Sequence, residues 1–94
     1  PFCFISYYVY IIQSSINGSF YKGFTENPIK RVERHNNGET PSTCHLCPWV
    51  LVYVEELLSK TDALKREKIL KKATRERLQA LINHPKNIVH RFVG

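Results

Sequence analysis

The feature that most constrains the fold is a pair of strand-like segments joined by a tight turn signal. Residues 7–13 read YYVYIIQ, an aromatic and β-branched composition that is typical of strands. Asn17-Gly18 is a strong turn signal, and residues 19–25 (SFYKGFT) alternate well enough to form a second strand. The sequence therefore predicts a β-hairpin to which the other elements are added.

A helix and then a strongly apolar strand follow the hairpin. Asn27 can cap free backbone N–H groups, Pro28 tolerates the first helical position, and Asn37-Gly38 supplies a stop. Residues 39–47 are polar and irregular, and we expect a loop there. Residues 49–55 read WVLVYVE, a near-continuous apolar run that predicts a strand covered on both faces, in the middle of the sheet.

The C-terminal part is helical in composition. Ser59 and Thr74 can cap two helices, the second of which spans residues 75–83 and ends before Pro85. The order β-β-α-β-α-α predicts an α+β fold with a small three-stranded, mostly antiparallel sheet flanked by helices. A chain of 94 residues fits one domain, which we expect to span residues 1–94.

The charge of the chain is unevenly distributed. The formal net charge is +6, and residues 60–77 hold eight basic and three acidic side chains. A solvated helix face and a phosphate-facing surface are both compatible with such a run. No apolar stretch reaches about 20 residues, so we expect no membrane span. Three cysteines and no recognisable signal peptide favour a reducing cytoplasm without a disulfide framework.

Two pairs of polar or aromatic side chains stand out in the first 36 residues. Tyr10 and Tyr21 lie on the two strands of the hairpin, where cross-strand packing is the simplest interpretation. Arg31 and His35 are four residues apart and share one stripe of the first helix. They are either two exposed polar residues, or a guanidinium for phosphate beside a histidine that moves protons near neutral pH.

The most informative acidic residue is Glu67. Ala63, Glu67 and Leu70 fall at i, i+4 and i+7, on the helix stripe that should face the sheet. A carboxylate there requires a compensating charge. An ion pair with Arg31 or Arg66, a helix rotated to expose Glu67, and a divalent cation are the alternatives. Mg²⁺ suits a single carboxylate, because it keeps much of its hydration shell and takes substrate phosphate as a further ligand.

The segment Cys44-His45-Leu46-Cys47 suggests zinc, but only weakly. A structural zinc site needs four ligands, usually two such cysteine pairs, and the chain has no second pair. A polar loop before the long strand is the preferred interpretation, and a small zinc-linked interaction domain is the alternative.

Five segments, taken in order, resemble the GIY-YIG nuclease superfamily and in particular its small stand-alone bacterial URI-type branch. They are Tyr8-Val9-Tyr10, Tyr21-Lys22-Gly23, and residues 30–36, 48–53 and 63–68. The resemblance covers about residues 7–73, which leaves residues 74–94 as a C-terminal helix and tail. The chain departs from the usual motif in having Tyr8-Val9 for Gly-Ile, Lys22 for Ile, and Phe24 at a position that is often polar or basic.

The resemblance implies a metal-dependent endonuclease-like domain that hydrolyses phosphodiester bonds in DNA, with a role in repair or recombination. It places catalytic functions on Tyr10, Tyr21, Arg31, His35 and Glu67, with Glu67 as the ligand of Mg²⁺ or Mn²⁺. One of the two tyrosines would activate water, with its pKa lowered by the nearby Arg31 or metal ion. Arg31 would stabilise the negative charge of the transition state.

The expected partners are DNA or another nucleic acid, and a protein that supplies specificity. The basic residues expected to contact nucleic acid are Lys30, Arg34, Lys65, Arg66, Lys68, Lys71 and Lys72. The main alternative is a catalytically weak or inactive nucleic-acid-binding module that uses the basic residues 60–77.

Overall fold

A three-stranded antiparallel sheet organises residues 5–93, the part of the chain that the computed structural model describes. Residues 1–4, which include Cys3, and residue 94 lie outside the described part. The strands are β1 (Tyr7–Ser14), β2 (Phe20–Thr25) and β3 (Trp49–Leu57). The helices are α1 (Pro28–Asn36), α2 (Lys60–Lys71), α3 (Arg75–Ile82) and α4 (His90–Val93), with a single 3₁₀ turn at Cys44–Leu46. The predicted β-β-α-β-α-α order is confirmed, and α4 extends it. Over the described range, none of the helices has the length and apolar character needed to cross a membrane.

The middle strand of the sheet is β1, so the prediction that β3 is central is wrong. The outer edge of β3 is covered by the segment that follows α3. Asn87 accepts a hydrogen bond from the amide of Val54 at 3.1 Å and donates one to the carbonyl of Val52 at 2.9 Å. Ile88 donates its amide to the carbonyl of Val54 at 3.2 Å. These contacts provide hydrogen-bond partners for backbone groups on the outer edge of β3. They explain why so apolar a strand can lie at the side of the sheet.

The turns and helix ends form where the sequence predicts them. Gly18 in the hairpin turn adopts a φ of 76°, a conformation that glycine tolerates readily. The side chains of Asn27, Ser59 and Thr74 accept hydrogen bonds from backbone amides in the first turns of α1, α2 and α3. Caps of this kind are each worth about 1 kcal/mol of stability, so the sequence strongly defines these helix starts.

Each face of the sheet buries its own apolar cluster, because successive strand residues point to opposite faces. The cluster on one face combines Val9, Ile11 and Tyr53 with residues of α2 and α3. The cluster on the other face contains Tyr10 and Trp49 and packs against α1 and the C-terminal segment. Tyr10 therefore extends from the central strand on the α1 side. The residues of the first cluster are Val9, Ile11, Tyr53, Ala63, Leu70 and Leu78, and those of the second are Tyr10, Ile12, Trp49, Leu51 and Val54.

Phe24, the unusual residue of the second motif, packs against the first of these clusters. In β2, Gly23 pairs with Tyr10 and Phe24 pairs with Val9. Phe24 and Tyr10 therefore lie on opposite faces of the sheet, and the aromatic residue contributes to the core beside Val9.

Candidate active site

Four of the residues singled out in the sequence converge beside α1. The Tyr10 hydroxyl lies 3.0 Å from Nε2 of His35, and Arg31 donates from Nε to the same hydroxyl at 3.3 Å. The rings of Tyr21 and His35 pack edge to face, with centroids 4.9 Å apart. His35 is completely buried, so the interpretation of Arg31 and His35 as two exposed polar residues is wrong.

The local geometry of three elements brings this cluster together. Tyr10 is paired with Gly23 across the hairpin, and Tyr21 lies two residues before Gly23, so both tyrosines extend from the same face. Arg31 and His35, four residues apart, lie one turn from each other on α1. The centroids of the two tyrosine rings are 6.5 Å apart, and the ring of His35 lies 6.1 Å from Tyr10 and 4.9 Å from Tyr21, so the three rings form a triangle.

Sequence reasoning missed the residue on the far side of the histidine ring. Nδ1 of His35 lies 2.8 Å from Oγ1 of Thr43, which is only 1% exposed. The indole Nε1 of Trp49 donates to the carbonyl of Thr43 at 3.0 Å. Thr43 belongs to the polar segment that was expected to be an irregular loop, and no spacing or periodicity there identifies it. Only the tertiary contact with His35 does.

Gly23 is the second residue whose role becomes clear only in the structure. A Cβ atom at this position would lie 2.7 Å from the hydroxyl oxygen of Tyr10 and 2.9 Å from its Cζ. The absence of a side chain therefore creates the space in which the Tyr10 ring lies across β2. A glycine inside a strand often marks such a close approach, and that is the sequence signal for it.

We expect Gly23→Ala to displace the Tyr10 hydroxyl, because the new methyl group would overlap it. Tyr10 is almost fully buried and has little room to move, so the variant should also lose about 1–3 kcal/mol of unfolding free energy. Urea unfolding measures the loss of stability, and the NMR chemical shifts of the Tyr10 ring measure the displacement. Lys22→Ala, at the neighbouring position on the opposite face, is the control. Wild-type stability and wild-type Tyr10 chemical shifts in Gly23→Ala would contradict this account of the packing.

Burial controls the acid–base chemistry of the cluster. Burial raises the pKa of Tyr10 to about 12, and it outweighs the hydrogen bond and positive charge of Arg31, which act to lower that pKa. Arg31 favours the phenolate, as expected, but burial has the larger effect and the net pKa is raised. Burial, with a smaller effect of Arg31, lowers the pKa of His35 to about 4. His35 is thus neutral at physiological pH and can accept a proton, whereas Tyr10 carries one.

The shifted pKa of His35 predicts how stability depends on pH. Between about pH 6.5 and pH 4, His35 binds a proton in the unfolded chain but not in the folded one. The unfolding free energy should therefore be highest above pH 6.5 and fall towards pH 4, by about 2–3 kcal/mol from this group alone. Urea unfolding across this range should show a shallower pH dependence for His35→Gln than for the wild type. His84→Gln, which changes an exposed histidine, should keep the wild-type slope. Equal slopes for His35→Gln and the wild type would be the contrary result.

Glu67 lies on the buried side of α2, with only 15% of its side chain exposed. Its ion-pair partner is Lys71, at 3.5 Å, and not Arg31 or Arg66, the two partners considered from the sequence. Arg66 instead donates from Nε to Glu55 at 2.9 Å. The negative charge of Glu67 is the smallest of the effects that raise the pKa of Tyr10, after burial and the charge of Tyr21.

The number of protein ligands beside Glu67 limits which metal ion could bind there. Among the described residues, no group of three or more His, Cys, Asp and Glu side chains could hold a metal ion. Zinc prefers three or four protein ligands, whereas Mg²⁺ binds through one or two carboxylates, waters and substrate phosphate. Glu67 therefore fits Mg²⁺ completed by substrate. Lys71, 55% exposed, can move into solvent when a cation replaces it.

The thiols of the Cys44–Cys47 segment make contacts of a different kind. Cys44 is exposed and donates to the carbonyl of Pro41, while Cys47 donates to the carbonyl of His35 at 3.1 Å. They do not form part of any three-residue set of metal ligands within residues 5–93.

The predicted nucleic-acid-binding residues fall into two groups. Lys30, Arg31 and Arg34 line one depression of about 200 Å³ at the start of α1. On α2 and its C-cap, the four predicted lysines are exposed, while Arg66 and Lys71 make ion pairs with acidic residues. The depression on α1, which Glu26 also lines, is connected to Tyr10 through Arg31, and part of the charge on α2 is already neutralised. The four lysines are Lys65, Lys68, Lys71 and Lys72.

The fold and the cluster of Tyr10, Tyr21, Arg31 and His35 correspond to a known class of domain. The family model described as the GIY-YIG catalytic domain matches residues 6–80, and the chain belongs to this family. The chain therefore has a nuclease-type domain whose class of substrate is nucleic acid, and nucleases of this family typically use divalent metal ions.

Its relatives include several proteins named UPF0213. A UPF0213 protein of Staphylococcus aureus is 40% identical over 78 residues, which cover 82% of this chain and 94% of that protein. A UPF0213 protein of Pseudomonas aeruginosa is 39% identical over 74 residues, covering 74% of this chain and 70% of the relative. The solution NMR structure of a UPF0213 protein from Bacillus halodurans is similar, with a TM-score of 0.56 and 28% identity over 86% of each chain.

Proposed function

We propose that the chain is a Mg²⁺-dependent endonuclease of the URI-type branch that hydrolyses phosphodiester bonds in DNA, with a role in repair or recombination. The observation that carries the proposal is the buried contact of the Tyr10 hydroxyl with both His35 and Arg31. A purely structural tyrosine pair needs neither a neutral histidine nor a guanidinium at its hydroxyl. Together these three groups provide a proton acceptor and a phosphate-binding charge in one place.

The substrate phosphate is expected to bind in the depression beside α1. Arg31 lines this depression together with Lys30 and Arg34, and its Nε already holds the Tyr10 hydroxyl. A guanidinium binds phosphate oxygens through paired N–H donors, so Arg31 can orient the phosphate while it stays attached to Tyr10. As negative charge builds up on the phosphate oxygens in the transition state, the same cation stabilises it.

Tyr10 is the residue that we expect to activate the attacking water. With a pKa of about 12, its free phenolate is rare at neutral pH. The hydrogen bond to His35 offers another route, in which the tyrosine oxygen accepts a proton from water while its own proton passes to Nε2 of the histidine. The negative charge of the bound phosphate favours the resulting imidazolium. Tyr21, edge-on to the His35 ring, is assigned a positioning role here.

Glu67 would hold the metal ion. When bound there, Mg²⁺ supplies positive charge that polarises the phosphate and assists departure of the leaving oxygen. The carboxylate suits this function because it is mostly buried and has a solvent-exposed lysine as its only ion-pair partner among the described residues.

A cleavage assay tests the proposal directly. The protein is incubated with single-stranded, duplex and branched DNA, with Mg²⁺ and separately with EDTA. We expect Mg²⁺-dependent cleavage, and preference for branched DNA would support a role in repair or recombination. Binding without cleavage under all conditions would overturn the proposal and favour the nucleic-acid-binding module instead. Cleavage that appears only after cell extract is added would indicate a protein partner that supplies specificity.

A further inference from the structure

The hydrogen bonds around Tyr10 allow only one direction for its proton. Arg31 has only donor groups, so the Tyr10 oxygen accepts from Nε of Arg31 and cannot donate to it. Tyr10 is 1% exposed, and within the described part of the chain the other partner of its hydroxyl is Nε2 of His35. The tyrosine proton must therefore point to Nε2, and this nitrogen must be the unprotonated one.

On the opposite side of the His35 ring, the hydrogen bond of Nδ1 also agrees with an unprotonated Nε2. If Nε2 is bare in the neutral ring, Nδ1 carries the proton and needs an acceptor, since His35 is completely buried. Oγ1 of Thr43 lies 2.8 Å away, and its own proton is directed to the carbonyl of Thr40 at 3.3 Å. The Thr43 oxygen is thus free to accept from Nδ1. The reverse arrangement would leave the Tyr10 proton without an acceptor.

Thr43 is itself held in place by several contacts. Its amide donates to the carbonyl of Thr40 at 3.1 Å, and its carbonyl accepts from the indole of Trp49 at 3.0 Å. Thr43 and Trp49 are 1% and 4% exposed, so water does not compete for these bonds. A residue that orients a functional histidine by hydrogen bonding to the ring nitrogen that faces away from the site is typically held in place in this way.

We propose that Thr43 is a positioning residue, which holds His35 in the Nδ1–H tautomer and thereby keeps Nε2 available to accept the proton of Tyr10. The catalytic consequence rests on the proposed nuclease function, whereas the tautomer itself does not. Without the hydroxyl, Nδ1–H would be buried with no acceptor, and the ring would gain by moving its proton to Nε2 or by rotating. Either change breaks the path from Tyr10.

The test compares wild type, Thr43→Val and Thr43→Ser. Valine has nearly the shape of threonine but no hydroxyl, while serine restores the hydroxyl. Long-range ¹H–¹⁵N NMR of the histidine rings, recorded at neutral pH without nucleic acid, reports which nitrogen carries the proton. The signals of His35 are those that disappear in His35→Gln. We expect Nδ1–H in the wild type and Thr43→Ser, and loss of that form in Thr43→Val.

Activity gives the second readout. Thr43→Val should reduce the cleavage rate by about 10²-fold, the lower range for losing a proton-transfer step, and Thr43→Ser should recover most of the rate. An Nε2–H tautomer in the wild type would overturn the inference even if Thr43→Val fails to fold. An unchanged tautomer in a folded Thr43→Val would overturn it as well. Because the NMR measurement needs no substrate, it stays decisive if the protein proves not to cleave DNA.

Discussion

Replacing Glu67 with Gln is expected to abolish Mg²⁺-dependent cleavage while leaving the fold intact. The amide keeps the size of the side chain but loses the charge that binds the cation. A metal ion supplies several kcal/mol of charge stabilisation in such reactions, so the rate at saturating DNA should fall by about 10³-fold. The pair with Lys71 is a helical i,i+4 contact worth about 0.3–0.5 kcal/mol, so the unfolding free energy should change by no more than that.

Two further variants make this experiment specific to Glu67. Glu76→Gln makes the same chemical change at an exposed position of α3 and should keep wild-type cleavage. Lys71→Gln removes the competing cation, so half-maximal activity should be reached at a lower Mg²⁺ concentration. Full Mg²⁺-dependent activity in Glu67→Gln would contradict the assignment of this carboxylate as the metal ligand. An unchanged Mg²⁺ requirement in Lys71→Gln would show that the ion pair does not compete with the metal.

Removing the hydroxyl of Tyr10 is expected to have an effect of similar size. Tyr10→Phe keeps the ring in its buried position but eliminates the atom that joins Arg31 to His35. Loss of a positioned proton-transfer group lowers rates by about 10²–10⁴-fold, and the cleavage rate of the variant should fall within that range. The hydroxyl makes two hydrogen bonds, and each lost bond costs about 0.5–1.5 kcal/mol of stability, which a urea titration resolves.

The comparison with other tyrosines decides which of them activates water. Tyr7→Phe, on the same strand but packed against the opposite cluster, should leave cleavage unchanged. Tyr21→Phe should reduce the rate less than Tyr10→Phe, because the contact of Tyr21 with His35 is made by the ring. A larger loss in Tyr21→Phe than in Tyr10→Phe would transfer the role of proton acceptor to Tyr21.

Much of the local structure follows from short stretches of sequence. The hairpin turn at Gly18 and the caps at Asn27, Ser59 and Thr74 depend on the conformational preferences of individual residues, and all form as predicted. The position of β3 does not follow in this way. An apolar run indicates that a strand is covered, but not by what, and here one of its edges is covered by Asn87, more than thirty residues further along the chain.

Some residues of the candidate site could likewise be predicted from the sequence, whereas others could be found only in the structure. Helical spacing and the order of the motifs singled out Tyr10, Arg31, His35 and Glu67, since a residue type at a fixed interval is visible in the sequence. Thr43 could not be found in this way, because it lies in an irregular segment and matters only through its contact with His35. Gly23 was visible as part of a motif, but its close approach to Tyr10 was not.

By itself, the sequence determined the three strands and the first three helices, their order, and most of the residues that would meet beside α1. The tertiary structure alone decided the order of the strands, the partner of Glu67, and the protonation of Tyr10 and His35. The sequence suggests that Arg31 lies near Tyr10, and a nearby cation lowers the pKa of a tyrosine. In the folded chain, burial has the larger effect and raises the pKa of Tyr10 to about 12. Burial is the sum of contacts from distant segments, and no local pattern of residues contains it.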